Sequence, residues 1–145
     1  VRSLSFPLLL GLLSAAPASA WGPEGHKVLS AVAEQRLSPS ARAGVSALLK
    51  GHSLSSISSW ADQVRRTRAD TYNWHFVDIP LESAAYDEAR DCAPTPKGDC
   101  VVAAINRCVE VLRNQAATGP ERVQALMFLV HFVGDVHQPL HSSEG

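Results

Sequence analysis

The chain has 145 residues, 46% of them hydrophobic, which leaves room and apolar content for one domain with a real core. Its formal net charge is −1, which excludes a strongly basic surface that would hold nucleic acid by charge alone. If such a chain handles a polyanion, something other than lysine and arginine must supply much of the positive charge.

Residues 1–20 read as an export leader. Arg2 supplies a positive start, Phe6 to Ala16 form an apolar run, and Ala18-Ser19-Ala20 ends in the small residues that a signal peptidase requires. Cleavage after Ala20 makes Trp21 the new N-terminus and leaves 21–145 as one domain, secreted to an extracellular or periplasmic space. No other segment approaches the roughly 20 apolar residues that a membrane span needs.

Trp21-Gly22-Pro23 leads into a helix from about Pro23 to Arg36, with proline placed at a first helical position. Val28, Ala31, Val32 and Gln35 share one face of it. Ser38-Pro39 restarts the chain as a second helix, capped by serine, with Val45, Leu48 and Leu49 inward and Gly51 as its end. Ile57, Trp60, Ala61 and Val64 have the spacing of a third helix. From Thr71 to Pro80 the aromatics Tyr72, Trp74 and Phe76 alternate, which predicts an extended segment, a short strand or a loop over the core. Cys92 and Cys100 flank a turn-rich loop short enough for one disulfide to close, and export permits that bond. Cys108 falls on a helical face as a buried thiol; reaching Cys100 would span about two turns, too far for the bond geometry. Asp99 is placed to cap a helix carrying Val102, Ile105, Val109 and Leu112, and a last helix runs from Pro120 to about His137, stopped by Pro139. The expected fold is all-α, a compact single domain of packed helices.

The last helix carries the strongest chemical signal. His131 and Asp135 are four residues apart, so both side chains lie on one face and can reach one metal ion. Pro139 ends the helix and lets His141 return from another direction. Their neighbours are apolar, and a buried histidine beside a buried carboxylate needs a partner for both. Asp62, in Ser59-Trp60-Ala61-Asp62, and His75, between Trp74 and Phe76, are two further candidates; taken singly they read as a solvated helix acid and a core histidine. Cleavage would also free the Trp21 amine, whose reference pKa near 7.7–8.0 lets it lose a proton to a metal far more readily than lysine does. Its nitrogen and carbonyl could chelate together with His26.

The set Trp21-Gly22-Pro23-Glu24-Gly25-His26, Trp60-Ala61-Asp62, Trp74-His75-Phe76 and His131 to His141 resembles the zinc-dependent single-strand-specific nucleases, also called the S-one/P-one nucleases. The resemblance covers nearly all of residues 21–145 in order. It implies a fold of the zinc phospholipase C/nuclease type and a complete site of three Zn2+ ions. Asp62, His75, His131 and Asp135 match the ligands of one ion. Trp21, His26 and the second Asp135 oxygen match another. His141 matches one ligand of the remaining ion, whose other histidine and aspartate are expected beyond Gly145, so at most two ions are expected in this chain. His137 reads as supporting the ligands or as structural, and His52 as facing solvent.

The resemblance further implies hydrolysis of single-stranded DNA or RNA to 5′-nucleotides, with 3′-nucleotidase action, by a monomer. Asp62 would orient the nucleophile and take its proton, and zinc would lower the pKa of bound water toward about 7. Zinc cations rather than a basic surface would then attract phosphate, and an aromatic pocket would select single strands by stacking. Arg65, Arg66 and Arg68 lie near Asp62 as a solvated face or as phosphate contacts. Two rival readings are a zinc phospholipase C of related fold and an inactive zinc-binding fragment.

Overall fold

The computed structural model describes residues 21–143. The leader, the cleavage site and Glu144 lie outside the described residues. The fold is all-α: α1 (Pro23–Gln35), α2 (Pro39–Leu48), α3 (Leu54–Ile57), α4 (Trp60–Arg65), α5 (Glu88–Asp91), α6 (Val101–Arg113) and α7 (Gly119–Val136), with 3-10 helices at Ala69–His75 and Pro139–His141. None of these helices is long and apolar enough to cross a membrane.

The helix boundaries follow local chemistry. Proline opens α1 and α2, and the Ser38 hydroxyl accepts the Ala41 amide at 3.2 Å. Lys50 at φ 50° and Gly51 at φ 83° turn the chain left-handed after α2, a conformation that glycine reaches without a Cβ penalty. Thr118 begins α7 in a reciprocal capping box: its hydroxyl accepts the Glu121 amide and the Glu121 carboxylate accepts the Thr118 amide at 2.8 Å.

α7 is the central element, packed against α6 and touched by α1 to α4. Its buried residues include Phe128 and Phe132, four apart and stacked with ring centroids 5.2 Å apart. Trp60 of α4 and Trp74 of the first 3-10 helix meet Phe128 edge-on at 5.0 and 5.6 Å, geometries that aromatic quadrupoles favour. Phe132 is fully buried, so truncating it to alanine would cost about 3–5 kcal/mol. A second apolar cluster, Leu49, Leu54 and Leu126, ties α2 and α3 to the other side of α7.

Several expectations need correction. Val28 and Val32 of α1 are 64% and 44% exposed; the face turned inward carries His26 and Ser30. Apolar periodicity is a poor guide there because α1 packs over a polar cluster. The third helix is two short helices separated at Ser58-Ser59. Thr71–Pro80 is not one extended run: residues up to His75 are 3-10 helix, and no β-strand occurs among the described residues. Phe76 is extended, but its segment is clasped rather than paired, with the Val77 amide on the His141 carbonyl and the Phe76 carbonyl on the Val101 amide. Cys100, not Asp99, is the cap residue of α6, and the buried line of that helix is Val101, Ala104 and Cys108. The Asp99 carboxylate instead accepts the Cys100 amide and pairs with the Arg107 guanidinium.

Cys92 and Cys100 form the disulfide, with Cα atoms 5.0 Å apart, and Cys108 is a buried free thiol. Burial pushes the Cys108 pKa up to about 11.

Candidate metal centre

The centre forms where α1, α4 and the first 3-10 helix meet α7. Helix geometry brings His131 and Asp135 to one face of α7, with His131 Nε2 3.1 Å from Asp135 Oδ2. The 3-10 helix ends at His75 and delivers its Nδ1 to within 3.1 Å of both Asp135 Oδ2 and His131 Nε2. Asp62, in the first turn of α4, brings Oδ1 to 3.6 Å from His131 Nε2 and 3.8 Å from His75 Nδ1. The floor is aromatic, with Phe132 edge-on to His75 at 5.1 Å and to His131 at 5.9 Å.

Asp135 divides its two oxygens. Oδ2 faces His75 and His131, whereas Oδ1 lies 3.3 Å from His26 Nε2 and 3.6 Å from His141 Nδ1. His26 reaches the cluster by stacking on His131, with centroids 4.0 Å apart. That approach depends on Gly134, where a Cβ would stand only 2.7 Å from His26 Nδ1. Trp21 precedes α1 with its side chain against Gly25, and is 38% exposed.

Backbone carbonyls orient two of the rings. His131 Nδ1–H donates to the Ser58 carbonyl at 2.7 Å, in the interruption between α3 and α4, which leaves Nε2 as the lone-pair atom. His141 Nδ1–H donates to the His75 carbonyl at 2.7 Å, which leaves its Nε2 free. The Ser58 role has no side-chain signal in the sequence, because the acceptor is main chain. Gly134 left a faint one, a glycine inside a strong helix beside a candidate ligand. Of the two readings of His137 the structural one fits: it is exposed and its ring bonds the Val133 carbonyl one turn back in α7. His52 is exposed, as expected.

Charge in the cluster is concentrated on the carboxylates. Burial alone would raise the Asp135 pKa, but bonds from His131, His26 and His75 more than offset it and hold the carboxyl well below its ordinary value. Burial pushes His75 down, more than Asp135 pulls it up. Burial also disfavours the His131 cation, yet Asp135, the Ser58 carbonyl and Asp62 together raise its pKa. An ionised carboxylate buried among imidazoles is a site that wants a cation, either a proton on His131 or a metal.

The residues fit zinc. Donor atoms of His75, His131 and Asp135, and separately of His26, Asp62 and His131, lie within 4.8 Å of one another. Imidazole nitrogen and carboxylate oxygen are the donors that zinc takes in catalytic sites. No lysine or arginine forms an ion pair with Asp62 or Asp135 among the described residues.

Known proteins resemble this chain over most of its length. A family model described as S1/P1 Nuclease matches residues 21–145. Endonuclease 2 of Arabidopsis thaliana is 37% identical, over 91% of this chain and 49% of that protein. Nuclease P1 of Penicillium citrinum is 35% identical over 83% of this chain and 47% of its own length, and nuclease S1 of Aspergillus oryzae is 32% identical over 83% and 44%. The chain thus spans about half the length of the curated relatives it matches.

Proposed function

Because this chain belongs to the S1/P1 nuclease family, we propose that it carries two of the metal-binding sets of a secreted zinc nuclease that cuts single-stranded DNA or RNA. The observation that carries the reading is the shared Asp135: one oxygen faces His75 and His131, the other faces His26. A carboxylate divided in this way suits two neighbouring cations. The first would be held by Asp62, His75, His131 and Asp135, and the second by Asp135, His26 and the Trp21 amine and carbonyl once the leader is removed. His141, with Nε2 free, serves a third.

Zinc bound there would supply Lewis acidity, polarising the phosphoryl oxygens and bringing the pKa of water toward about 7. Asp62, the one cluster carboxylate with a substantially exposed side chain (40%), orients the attacking water and accepts its proton. The water oxygen bonds to phosphorus, the bond from phosphorus to the 3′ oxygen breaks, and the products are a 5′-phosphate and a 3′-hydroxyl protonated from solvent. The same chemistry on a 3′-monoester releases phosphate. His131, fixed by the Ser58 carbonyl, and Asp135, fixed by its imidazoles, hold their donor atoms still through the reaction.

The test is digestion of denatured DNA beside lecithin by the secreted protein with its zinc. Nucleotides bearing 5′-phosphates are expected from DNA, with lecithin untouched. Lecithin cleavage alone would move the protein to the phospholipases, and bound zinc without turnover on either would make it a metal-binding protein. Intact mass should place the mature N-terminus at Trp21; a retained Ala20 would remove the amine from the donor set.

A further inference from the structure

Two aromatic rings near the centre are each flanked by two cations, and the two arrangements differ in one respect. Trp74 has Arg107 at 4.7 Å and Arg68 at 5.9 Å from its ring. Both guanidiniums are neutralised, Arg107 by Asp99 and Arg68 by Asp70. Tyr72 has the Arg65 guanidinium at 3.9 Å and Lys97 Nζ at 5.4 Å from its ring centroid. Neither of these cations has a carboxylate partner among the described residues, and Arg65 Nε is buried with no hydrogen-bond acceptor. Two unneutralised cations around one ring can each contact an anion.

That ring stands beside the metal centre. Asp62, Arg65, Arg66 and Tyr72 line one cleft, of about 810 Å3, so an anion held at Tyr72 shares it with the proposed nucleophile-orienting carboxylate. The Tyr72 ring is 44% exposed and meets Phe76 edge-on at 6.3 Å. Lys97 comes from the loop closed by the Cys92–Cys100 disulfide, and the loop is docked on the 3-10 helix: the Asn73 amide donates to the Lys97 carbonyl at 2.9 Å. Gly98, at φ 101°, lets the loop lie against Trp74, where a Cβ would stand 2.7 Å from the indole. The lysine backbone is therefore anchored while its side chain is exposed.

We propose that Lys97, with Tyr72 and Arg65, forms a second phosphate subsite that holds the internucleotide phosphate next to the one at the metal centre, so that the enzyme favours polynucleotides over mononucleotides. This rests on the nuclease reading above. Tyr72 is a positioning residue, its ring within reach of both cations; Lys97, exposed beside that ring, touches the phosphate. A mononucleotide has no second phosphate and cannot use the subsite, whereas a strand of several nucleotides can.

The experiment measures binding of a nuclease-resistant phosphorothioate hexanucleotide and of a deoxynucleoside monophosphate to the zinc-loaded mature chain across salt concentrations. Lys97→Ala should weaken hexanucleotide binding about threefold to tenfold and lower the slope of log affinity against log salt by about 0.7. The ratio of hexanucleotide to mononucleotide affinity should fall with it, and Lys97→Arg should restore both. Tyr72→Ala should reproduce the loss, and Tyr72→Phe, which keeps the ring, should not. An unchanged slope and ratio in Lys97→Ala, while the unmutated protein degrades denatured DNA, overturns the subsite and leaves the nuclease reading standing. A protein that neither binds nor degrades the strand overturns both.

Discussion

Gly134→Ala separates the metal centre from the stability of the fold. The new Cβ would stand 2.7 Å from His26 Nδ1, 3.1 Å from its Cε1 and 3.7 Å from Leu29 Cδ1. Real Cβ atoms do not sit under 3.0 Å from a neighbour, so one partner must shift. α7 is held on both sides, by the fully buried Phe132 and by Asp135 among its imidazoles, so His26 on α1 gives way. Alanine gains about 1 kcal/mol of helix propensity over glycine, and overpacking costs about 1–3 kcal/mol. The net is a loss between zero and about 2 kcal/mol, a Tm fall of at most about 8 °C for a domain of this size. The consequence for metal is larger, because His26 faces Asp135 Oδ1 and its displacement removes only the second donor set. Zinc per chain should fall from two to one in native mass spectrometry, with the tighter site intact. Gly44→Ala in α2, where nothing lies within 4 Å of the added methyl group, is the matched control and should stabilise by about 0.5–1 kcal/mol with both ions retained. Two zinc ions at unmutated affinity in Gly134→Ala would refute the assignment of His26 to the second ion.

Asp62→Asn keeps the shape of a partly exposed side chain, so thermal stability should move by less than about 0.5 kcal/mol while turnover of single-stranded DNA falls by about a hundredfold or more; a surviving rate removes Asp62 from the proton transfer. Burial pushes the Asp99 carboxyl up, but its bonds to Arg107 and the Cys100 amide hold it below the ordinary value. A depressed folded pKa contributes stability that is full above the unfolded value near 3.9 and lost as pH falls through the folded one. With side chains 18% and 45% exposed, the pair is worth about 0.5–1 kcal/mol. The difference between Asp99→Asn and the unmutated protein in chemical denaturation should therefore be full at pH 6 and shrink as pH falls below the unfolded value near 3.9, and a gap independent of pH would refute the pairing. Cys108, 8% exposed with its thiol pushed up to about 11, should resist iodoacetamide in the folded protein and react as one thiol per chain after denaturation; rapid native labelling would count against its burial.

What the sequence determined by itself was whatever a short stretch of chain decides locally. Proline and serine opened α1 and α2, the left-handed Gly51 closed α2, and the four-residue spacing of His131 and Asp135 put both on one face of α7. Cys92 and Cys100 were near enough along the chain for their bridge to be read from loop length. Family resemblance then named the candidate residues, in order, without saying how they meet. Only the tertiary structure decided which face of α1 turned inward, that the Thr71–Pro80 aromatics belong to a 3-10 helix and a clasped segment, and that Asp99 pairs with Arg107. It also brought His75 to His131 across 56 residues, and the Ser58 carbonyl to His131 across 73. The physical reason is range. A cap or a helical face is set by bonds within a few residues, whereas His26, Asp62, His75 and Asp135 converge only because packing around Trp60, Trp74, Phe128 and Phe132 brings three separate elements onto α7.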